Sequence, residues 1–278
     1  MEQTADFSSP YLTEQIIAYI GNKRRLLTLI YKALQECGIE LKPGLKFFDV
    51  FSGSGWFSRF AKSLGFEVTA NDWEEYSKII NEAYLCINQS DISKIFGSRK
   101  KFSGLLKKIN ELPSPSSKEQ FIAKYYAPHE SDVSKADYKT ERLFYTKENA
   151  LAIDKIRNYI EENYPSSSKN KKKLSARSLL TALLIYEAAT HTNTSGVFKA
   201  FHKEFGGHGK DALKRILSPI QLHEPPLIDS PYPCRVFKED ANSLVKKIGS
   251  VDIAYLDPPY NQHQYGSNYF MLNTIAKW

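Results

Sequence analysis

The feature that most constrains the fold is an alternation of strand and helix patterns that stops midway along the chain and then resumes. Short apolar runs at 45–51, 67–71, 234–238 and 251–256 predict four strands, and helical patterns follow the first three. Strands that alternate with helices favour a parallel, doubly wound sheet of the Rossmann type. The sequence therefore predicts an α/β fold, and 278 residues suffice for one large domain or for a domain with an insert.

The segment between the two blocks, 91–230, lacks this alternation. An amphipathic pattern predicts a helix over 150–163, and an apolar run predicts a buried helix over 179–190. Between them lies PSSSKNKKK, 165–173, which is typical of a flexible basic loop. A stretch rich in glycine and lysine, 192–215, follows. We therefore predict a mainly helical insert.

Positive charge is concentrated in this insert. Residues 91–230 hold 24 Lys and Arg against 16 Asp and Glu, a net +8, whereas the rest of the chain holds 14 against 15. A basic block favours a polyanionic partner, although a merely soluble basic surface explains the charge equally well. We assign 1–90 and 231–278 to one α/β domain and 91–230 to the basic insert.

Composition excludes several classes of protein. No apolar run reaches the roughly 18 residues that span a bilayer, and 1–15 lack the apolar core of a secretory signal. The three cysteines, Cys37, Cys86 and Cys234, are odd in number and far apart, which is typical of a reducing cytoplasm. They form no spacing with histidines that would bind zinc. We therefore expect a cytoplasmic protein without a membrane span or a metal site.

A glycine turn follows the first predicted strand, in Asp49-Val-Phe-Ser-Gly53-Ser-Gly55. Glycines let the backbone approach a ligand closely, but the third glycine of a dinucleotide-binding GxGxxG motif is missing. The turn therefore suits a cofactor without phosphates, such as S-adenosylmethionine, although a plain turn is the alternative. Asp72 ends the next strand 19 residues after Gly53, close to the spacing of an acid that binds a ribose. Its alternative role is to cap the following helix.

Two further motifs are weaker on their own. Asp240 follows the third predicted strand and is suited to accept a hydrogen bond from an adenine amine, or else to cap the helix pattern at 241–248. In Tyr19-Ile-Gly-Asn-Lys23 an aromatic ring and a cation flank a glycine turn. Lys23 is suited to pair with a carboxylate and Tyr19 to line an adenosine pocket, whereas the plain alternative is the start of a helix.

The most specific motif is Asp257-Pro258-Pro259-Tyr260, at the end of the fourth predicted strand. The two prolines stiffen the chain where it leaves the sheet, because each fixes φ and lacks an N–H. The Asp257 carboxylate and the Pro258 carbonyl are then suited to accept both hydrogens of one planar amino group, with Tyr260 stacked on its ring. Such contacts to adenine N6 would localise its lone pair for nucleophilic attack. A proline-stiffened strand exit is the structural alternative.

Together these motifs resemble those of the N6-adenine DNA methyltransferases of the DNA adenine methylase family, including members from restriction-modification systems. The resemblance covers 15–90 and 232–278. It implies S-adenosylmethionine as cofactor, double-stranded DNA as substrate, an adenine flipped out of the duplex, and an insert that contacts phosphates. It further implies a cofactor site formed by Tyr19, Lys23, Phe51, Gly53, Gly55, Asp72 and Asp240, and a catalytic site formed by Asp257, Pro258, Pro259 and Tyr260.

The chain departs from the family pattern after this last motif. Family members usually continue with three more strands, whereas this chain ends about twenty residues later, at Trp278. We therefore expect an incomplete sheet with an exposed apolar edge and reduced stability. We expect either that the chain is a truncated product or that a second polypeptide supplies the remaining strands. A cognate restriction endonuclease is a further candidate partner.

Two other functions are compatible with the motifs. One is a methyltransferase that acts on a base in RNA, because similar loops serve there, although the early Tyr19–Lys23 motif and the long insert argue against it. The other is a DNA-binding remnant that keeps the basic insert but has lost turnover. Cofactor binding without methyl transfer would favour the remnant.

Overall fold

The computed structural model of the chain describes residues 7–20, 26–259 and 264–278. It divides into two compact units, the first formed by Met1–Ile92 with Pro225–Tyr260 and the second by Ser93–Glu224 with Asn261–Trp278. Within the described ranges, no helix is long and apolar enough to cross a membrane.

Helices and short strands follow one another along the chain. In order they are α1 (Pro10–Thr13), α2 (Leu27–Glu36), β1 (Lys46–Asp49), α3 (Trp56–Ser63), β2 (Glu67–Asn71), α4 (Glu75–Leu85), α5 (Asp91–Phe96), α6 (Arg99–Asn110), α7 (Ile122–Tyr126), α8 (Lys147–Asn163), α9 (Lys171–Thr190), α10 (Leu213–Leu217), β3 (Arg235–Phe237), α11 (Ala241–Leu244), β4 (Ile253–Tyr255), α12 (Tyr265–Asn268) and α13 (Phe270–Lys277). Two short 3₁₀ turns, Ser117–Glu119 and Val133–Lys135, lie on either side of α7.

The first unit is built on a sheet of four parallel strands in the order β3-β2-β1-β4. The residues of β1 from Phe47 to Asp49 and of β2 from Val68 to Asn71 are buried in succession. Consecutive burial is expected of central parallel strands, because helices cover both faces of such a sheet. On one face Phe57 of α3 packs against Phe47, with their ring centroids 5.5 Å apart. The predicted α/β fold is confirmed, although each predicted strand except β2 is shortened at its ends.

The second unit consists, in its described part, of helices and connecting loops. Helix α8 packs against α6, α7 and α9, and α9 also packs against α13. Arg157 of α8 is buried and donates from Nε to the carbonyl of Ile275 at 2.7 Å. The indole of Trp278 donates to Asn158 at 3.0 Å. The C-terminal helix is therefore part of the helical unit, whereas the predicted boundaries assigned it to the α/β domain.

The prediction of a flexible loop over 165–173 is wrong for its last three residues, 171–173, which are helical. Helix α9 begins at Lys171 because Asn170 caps it: the Asn170 Oδ1 accepts a hydrogen bond from the N–H of Lys172 at 2.9 Å. An asparagine at this position satisfies one of the amides that a helix leaves without an internal partner. The three consecutive lysines thus form the first turn of a helix that continues to Thr190.

Strand β4 lies at one side of the sheet. It pairs with β1, and no other described strand pairs with it. Leu256, which follows the strand, is 66% exposed, and Val245 is 50% exposed. These exposed apolar side chains follow β4 and α11, and the incomplete sheet with its effect on stability stays a prediction.

Candidate active site

The carboxyl ends of the four strands lie at one edge of the sheet, because the strands run parallel. This confirms the prediction that the segments after the strands share an edge. They are the loop 50–55 after β1, Asp72 after β2, Glu239 and Asp240 after β3, and Asp257 after β4. Ligands of open α/β sheets bind at this edge.

The side chain of Asn71 joins three of these strand ends. It is 1% exposed, and its Nδ2 donates to the carbonyls of Val50 at 3.3 Å and Glu239 at 3.1 Å. Its Oδ1 accepts from the N–H of Glu239 at 3.0 Å. One amide group thus fixes the spacing of the exits from β1, β2 and β3. Sequence reasoning missed Asn71, since its partners are 21 and 168 residues away along the chain.

Asp72 closes the glycine turn from the side of β2. Its Oδ2 accepts a hydrogen bond from the N–H of Gly53 at 2.7 Å, and its Oδ1 accepts from the N–H of Glu74 at 2.9 Å. Burial raises the pKa of Asp72, and these two hydrogen bonds oppose that rise. The carboxylate orders both the glycine turn and the residue before α4. It does not cap the helix, because it accepts from the N–H of the N-cap residue Glu74 and from no amide within the described helix α4. Ribose binding stays a prediction.

Contacts within the protein require both glycines of the turn. Gly53 has φ +51°, and a Cβ there would lie 2.7 Å from Cε1 of Tyr19. Gly55 has φ +74°, and a Cβ there would lie 2.6 Å from Oδ1 of Asn81. A larger residue would meet both an unfavourable backbone conformation and a filled space. Tyr19 therefore lies over the glycine turn, as its predicted place in a cofactor pocket requires, whereas Lys23 lies outside the described residues.

Asp49 is a buried acid at the end of β1, and sequence reasoning gave it no role. It is 1% exposed, the Ser58 hydroxyl donates to its Oδ2 at 2.7 Å, and its Oδ1 has no hydrogen-bond partner among the described residues. Burial raises the pKa of Asp49 to about 7, and the nearby Asp72 and Asp257 carboxylates contribute to this rise. An acid that ends an apolar strand was the available signal for its importance.

Asp257 leaves β4 beside Tyr255, whose side chain is hydrogen-bonded to it. Burial raises the pKa of Tyr255, as do the charges of Asp257 and Asp49, so the hydroxyl stays protonated and donates to the Asp257 carboxylate. The Tyr255 ring packs on Phe57, with centroids 4.0 Å apart. The carboxylate of Asp257 is therefore held by Tyr255, whose ring is itself packed against Phe57. Pro258 and Pro259 are exposed, and Tyr260 lies outside the described residues.

The remaining predicted residue at this edge is Asp240, which caps α11. Its Oδ1 accepts from the N–H of Ser243 at 2.9 Å, so the capping alternative is observed and adenine binding stays a prediction.

Phe51 packs against the buried cluster that contains Leu244. Trp73 follows the strand end of β2 and is 68% exposed, a site feature that sequence reasoning missed. The described residues form no cluster of three or more side chains suited to a metal ion.

Comparison with known proteins identifies the family of the chain. The family model for D12 class N6 adenine-specific DNA methyltransferases matches residues 19–278. The chain belongs to this family. It is 32% identical over 264 residues to modification methylase LlaI of Lactococcus lactis subsp. lactis. It is 34% identical over 261 residues to type II methyltransferase M.NlaIII of Neisseria lactamica, and 31% identical over 260 residues to M.CviAII of Paramecium bursaria Chlorella virus 1.

These D12 relatives are longer than the chain. The alignments cover 94%, 93% and 93% of this chain but 38%, 68% and 68% of the three relatives, in the same order. Membership of the family confirms the resemblance that the motifs indicated.

Proposed function

We propose that this D12 family member transfers a methyl group from S-adenosylmethionine to N6 of an adenine in double-stranded DNA. The observation that carries the proposal is the placement of Asp49, Asp72 and Asp257 at the carboxyl ends of three neighbouring parallel strands, with β1 between β2 and β4. Relatives named as type II and modification methylases support a place in a restriction-modification system. A cognate restriction endonuclease is the corresponding partner.

The three carboxyl groups fit a cationic cofactor. When bound, S-adenosylmethionine supplies an activated methyl group on a sulfonium, and it also carries an ammonium group. The buried Oδ1 of Asp49 is an acceptor that a cationic donor would satisfy. Asp72, whose two oxygens accept from the N–H groups of Gly53 and Glu74, would accept in addition from a ribose, and Tyr19 covers the glycine turn. Phe51, Gly53, Gly55 and Asp240 would complete the pocket, together with Lys23.

Asp257 is the residue that we assign to the target base. Its carboxylate and the carbonyl of Pro258 would accept the two hydrogens of adenine N6, and Tyr260 would stack on the ring. The donor contact from Tyr255 keeps the carboxylate oriented before the base arrives. Because a base inside a duplex cannot reach this edge, the adenine must first be flipped out of the helix.

The basic segment of the helical unit supports DNA binding. Asn193 is fully buried and donates from Nδ2 to the carbonyls of Leu143 at 3.0 Å and His202 at 3.1 Å. Its Oδ1 accepts from the N–H of Gly206 at 3.1 Å. This network fixes the backbone of a loop whose exposed lysines include Lys199, Lys203 and Lys210. We assign these lysines to phosphate contacts, and their binding should weaken steeply with salt.

The test is transfer of labelled methyl groups from S-adenosylmethionine to duplex DNA by the wild type and by Asp257→Ala. We expect Asp257→Ala to lose about 10²-fold or more of the rate while it still binds the cofactor. Asp252→Ala is the matched control. It removes an acid at the opposite end of the same strand, where Asp252 Oδ2 accepts from the N–H of Lys46 at 2.7 Å.

The outcomes separate the competing functions. Equal labelling by wild type and Asp257→Ala, or labelling of RNA alone, would overturn the proposal. Cofactor and DNA binding without methyl transfer by the wild type would instead indicate the remnant. The same reaction with a panel of duplexes would identify the recognition sequence.

A further inference from the structure

Two side chains of α3 dock the N-terminal segment 11–15 onto the α/β unit. Arg59 donates from Nη2 to the carbonyls of Tyr11 and Glu14, the latter at 3.1 Å, and from Nη1 to the carbonyl of Gln15 at 3.2 Å. The indole of Trp56 donates to the carbonyl of Leu12 at 3.1 Å. A helix of four residues, α1, cannot satisfy its own last carbonyls, so its end depends on these donors.

The guanidinium of Arg59 lies close to two aromatic rings. It is 1% exposed, and its Cζ lies 4.8 Å from the ring centroid of Tyr11 and 4.1 Å from that of Tyr84. The Tyr11 hydroxyl donates to the carbonyl of Tyr84 at 2.7 Å, and the Tyr84 hydroxyl donates to Oε1 of Gln15 at 2.6 Å. Stacking and hydrogen bonding therefore join the segment to both α3 and α4.

The docked segment leads directly to the candidate cofactor turn. Gln15 has φ +49°, which redirects the chain, and Tyr19 follows four residues later. The Tyr19 ring occupies the space above Gly53, and its hydroxyl lies 3.1 Å from that of Tyr76. A displacement of segment 11–15 would be transmitted to Tyr19, because so few residues separate them.

We propose that Arg59 is a positioning residue for the cofactor, which acts by docking segment 11–15 and thereby holding Tyr19 over the glycine turn. The inference rests on the proposed function, since it takes the glycine turn as the cofactor site. Arginine suits this task because its planar fork serves several carbonyls at once, whereas an ammonium presents a point charge. The chemistry of methyl transfer is unchanged by this role.

The test compares Arg59→Met and Arg59→Lys with the wild type, with S-adenosylhomocysteine as the probe in calorimetric titration. We expect the Kd to rise about tenfold or more for Arg59→Met and less for Arg59→Lys. Arg157→Met is the matched control, because Arg157 is also a buried arginine that donates to a backbone carbonyl, that of Ile275 at 2.7 Å, and lies over an aromatic ring, that of Trp278. It belongs to the helical unit, whereas segment 11–15 belongs to the α/β unit. We expect its Kd to stay within about twofold of the wild type.

A double-mutant cycle separates positioning from a general loss of stability. If Arg59 acts through Tyr19, Arg59→Met should weaken binding little further once Tyr19→Ala is present. Additive losses in Kd would contradict the proposal. Hydrogen exchange gives a second readout. The amides of 16–20 should exchange faster in Arg59→Met than in the wild type, and at the wild-type rate in Arg157→Met.

The two proposals fail in different ways. A wild-type chain that binds S-adenosylhomocysteine while Arg59→Met and Arg59→Lys bind it equally well overturns the positioning role alone. A wild-type chain that does not bind the probe overturns the proposed function, and the positioning role with it. If Arg59→Met does not fold, the decision rests on Arg59→Lys in the same cycle with Tyr19→Ala.

Discussion

The buried carboxyl of Asp49 should make both stability and cofactor binding depend on pH. Burial raises its pKa from 3.8 to about 7, so the folded chain retains a proton over a pH range where the unfolded chain has lost it. The folded state is therefore favoured most at low pH, and this contribution disappears as the pH rises through 7. Such a difference in pKa corresponds to about 4 kcal/mol in total, of which about 3 kcal/mol falls between pH 5 and pH 8.

The perturbation that tests this is Asp49→Asn, which keeps an acceptor for Ser58 and removes the titrating group. Urea denaturation of wild type and variant at pH 5, 6, 7 and 8 gives the free energy of unfolding of each. We expect the wild type to lose about 3 kcal/mol more than the variant across this range. The variant's absolute stability carries a separate penalty for its buried amide, so the slopes with pH are compared. Parallel slopes would refute the reasoning.

Binding of a cation should reverse this preference for the protonated acid. A positive cofactor beside Asp49 favours the carboxylate, so its affinity should increase as the pH rises through 7. Calorimetry in buffers of different ionisation enthalpy would detect the proton released on binding. Asp49→Asn should bind more weakly at pH 8 and lose most of the pH dependence, whereas an unchanged profile would show that Asp49 does not face the cofactor.

Two further substitutions test the packing of the site. Gly53→Ala should lower the free energy of unfolding by about 1–3 kcal/mol and weaken cofactor binding, because the added methyl group meets Tyr19 and the backbone there is left-handed. Thermal unfolding measures the stability and titration measures the binding. Gly104→Ala is the control and should not destabilise the fold, because nothing lies within 4 Å of a Cβ there. Asn71→Ala should cost about 2–3 kcal/mol in urea denaturation by leaving Glu239 and Val50 without a buried partner. A loss below about 0.5 kcal/mol would mean that water replaces the amide.

Local patterns along the chain were enough to place the elements of the α/β unit. The pattern of β2 gave its bounds, 67–71, because a central strand is apolar on both faces and ends sharply. The helix after the glycine turn was also placed, since it begins at Trp56 directly after Gly55. The start of α9 was not predicted, because a run of lysines is typical of a loop unless the asparagine before it is recognised as a helix cap.

The residues with obvious chemistry were likewise accessible from sequence. Asp72 and Asp257 were singled out because Asp72 has the spacing of a ribose-binding acid after the glycine turn and Asp257 precedes two prolines, and their roles stay predictions. Asp49 and Tyr255 were not assigned a role, although the acid that ends β1 was a visible signal. Asn71 and Arg59 were missed because their partners lie 21 or more residues away along the chain. Arg59, for example, binds carbonyls 44 to 48 residues away.

By itself, then, the sequence determined the fold class, the positions of the four strands along the chain and the family, because these depend on local patterns and short motifs. Tertiary structure decided which hydrogen bonds connect the strand ends and how the pKa of the acid at the end of β1 is shifted. Burial at the end of a central strand is the main reason that the pKa of Asp49 is raised, and parallel pairing adds the charges of Asp72 and Asp257 at the same edge. Only packing across α3 and α4 shows that Gly53 is a glycine because Tyr19 lies above it. Burial and charge–charge interactions depend on which residues are neighbours in space, and the order of residues along the chain does not give those neighbours.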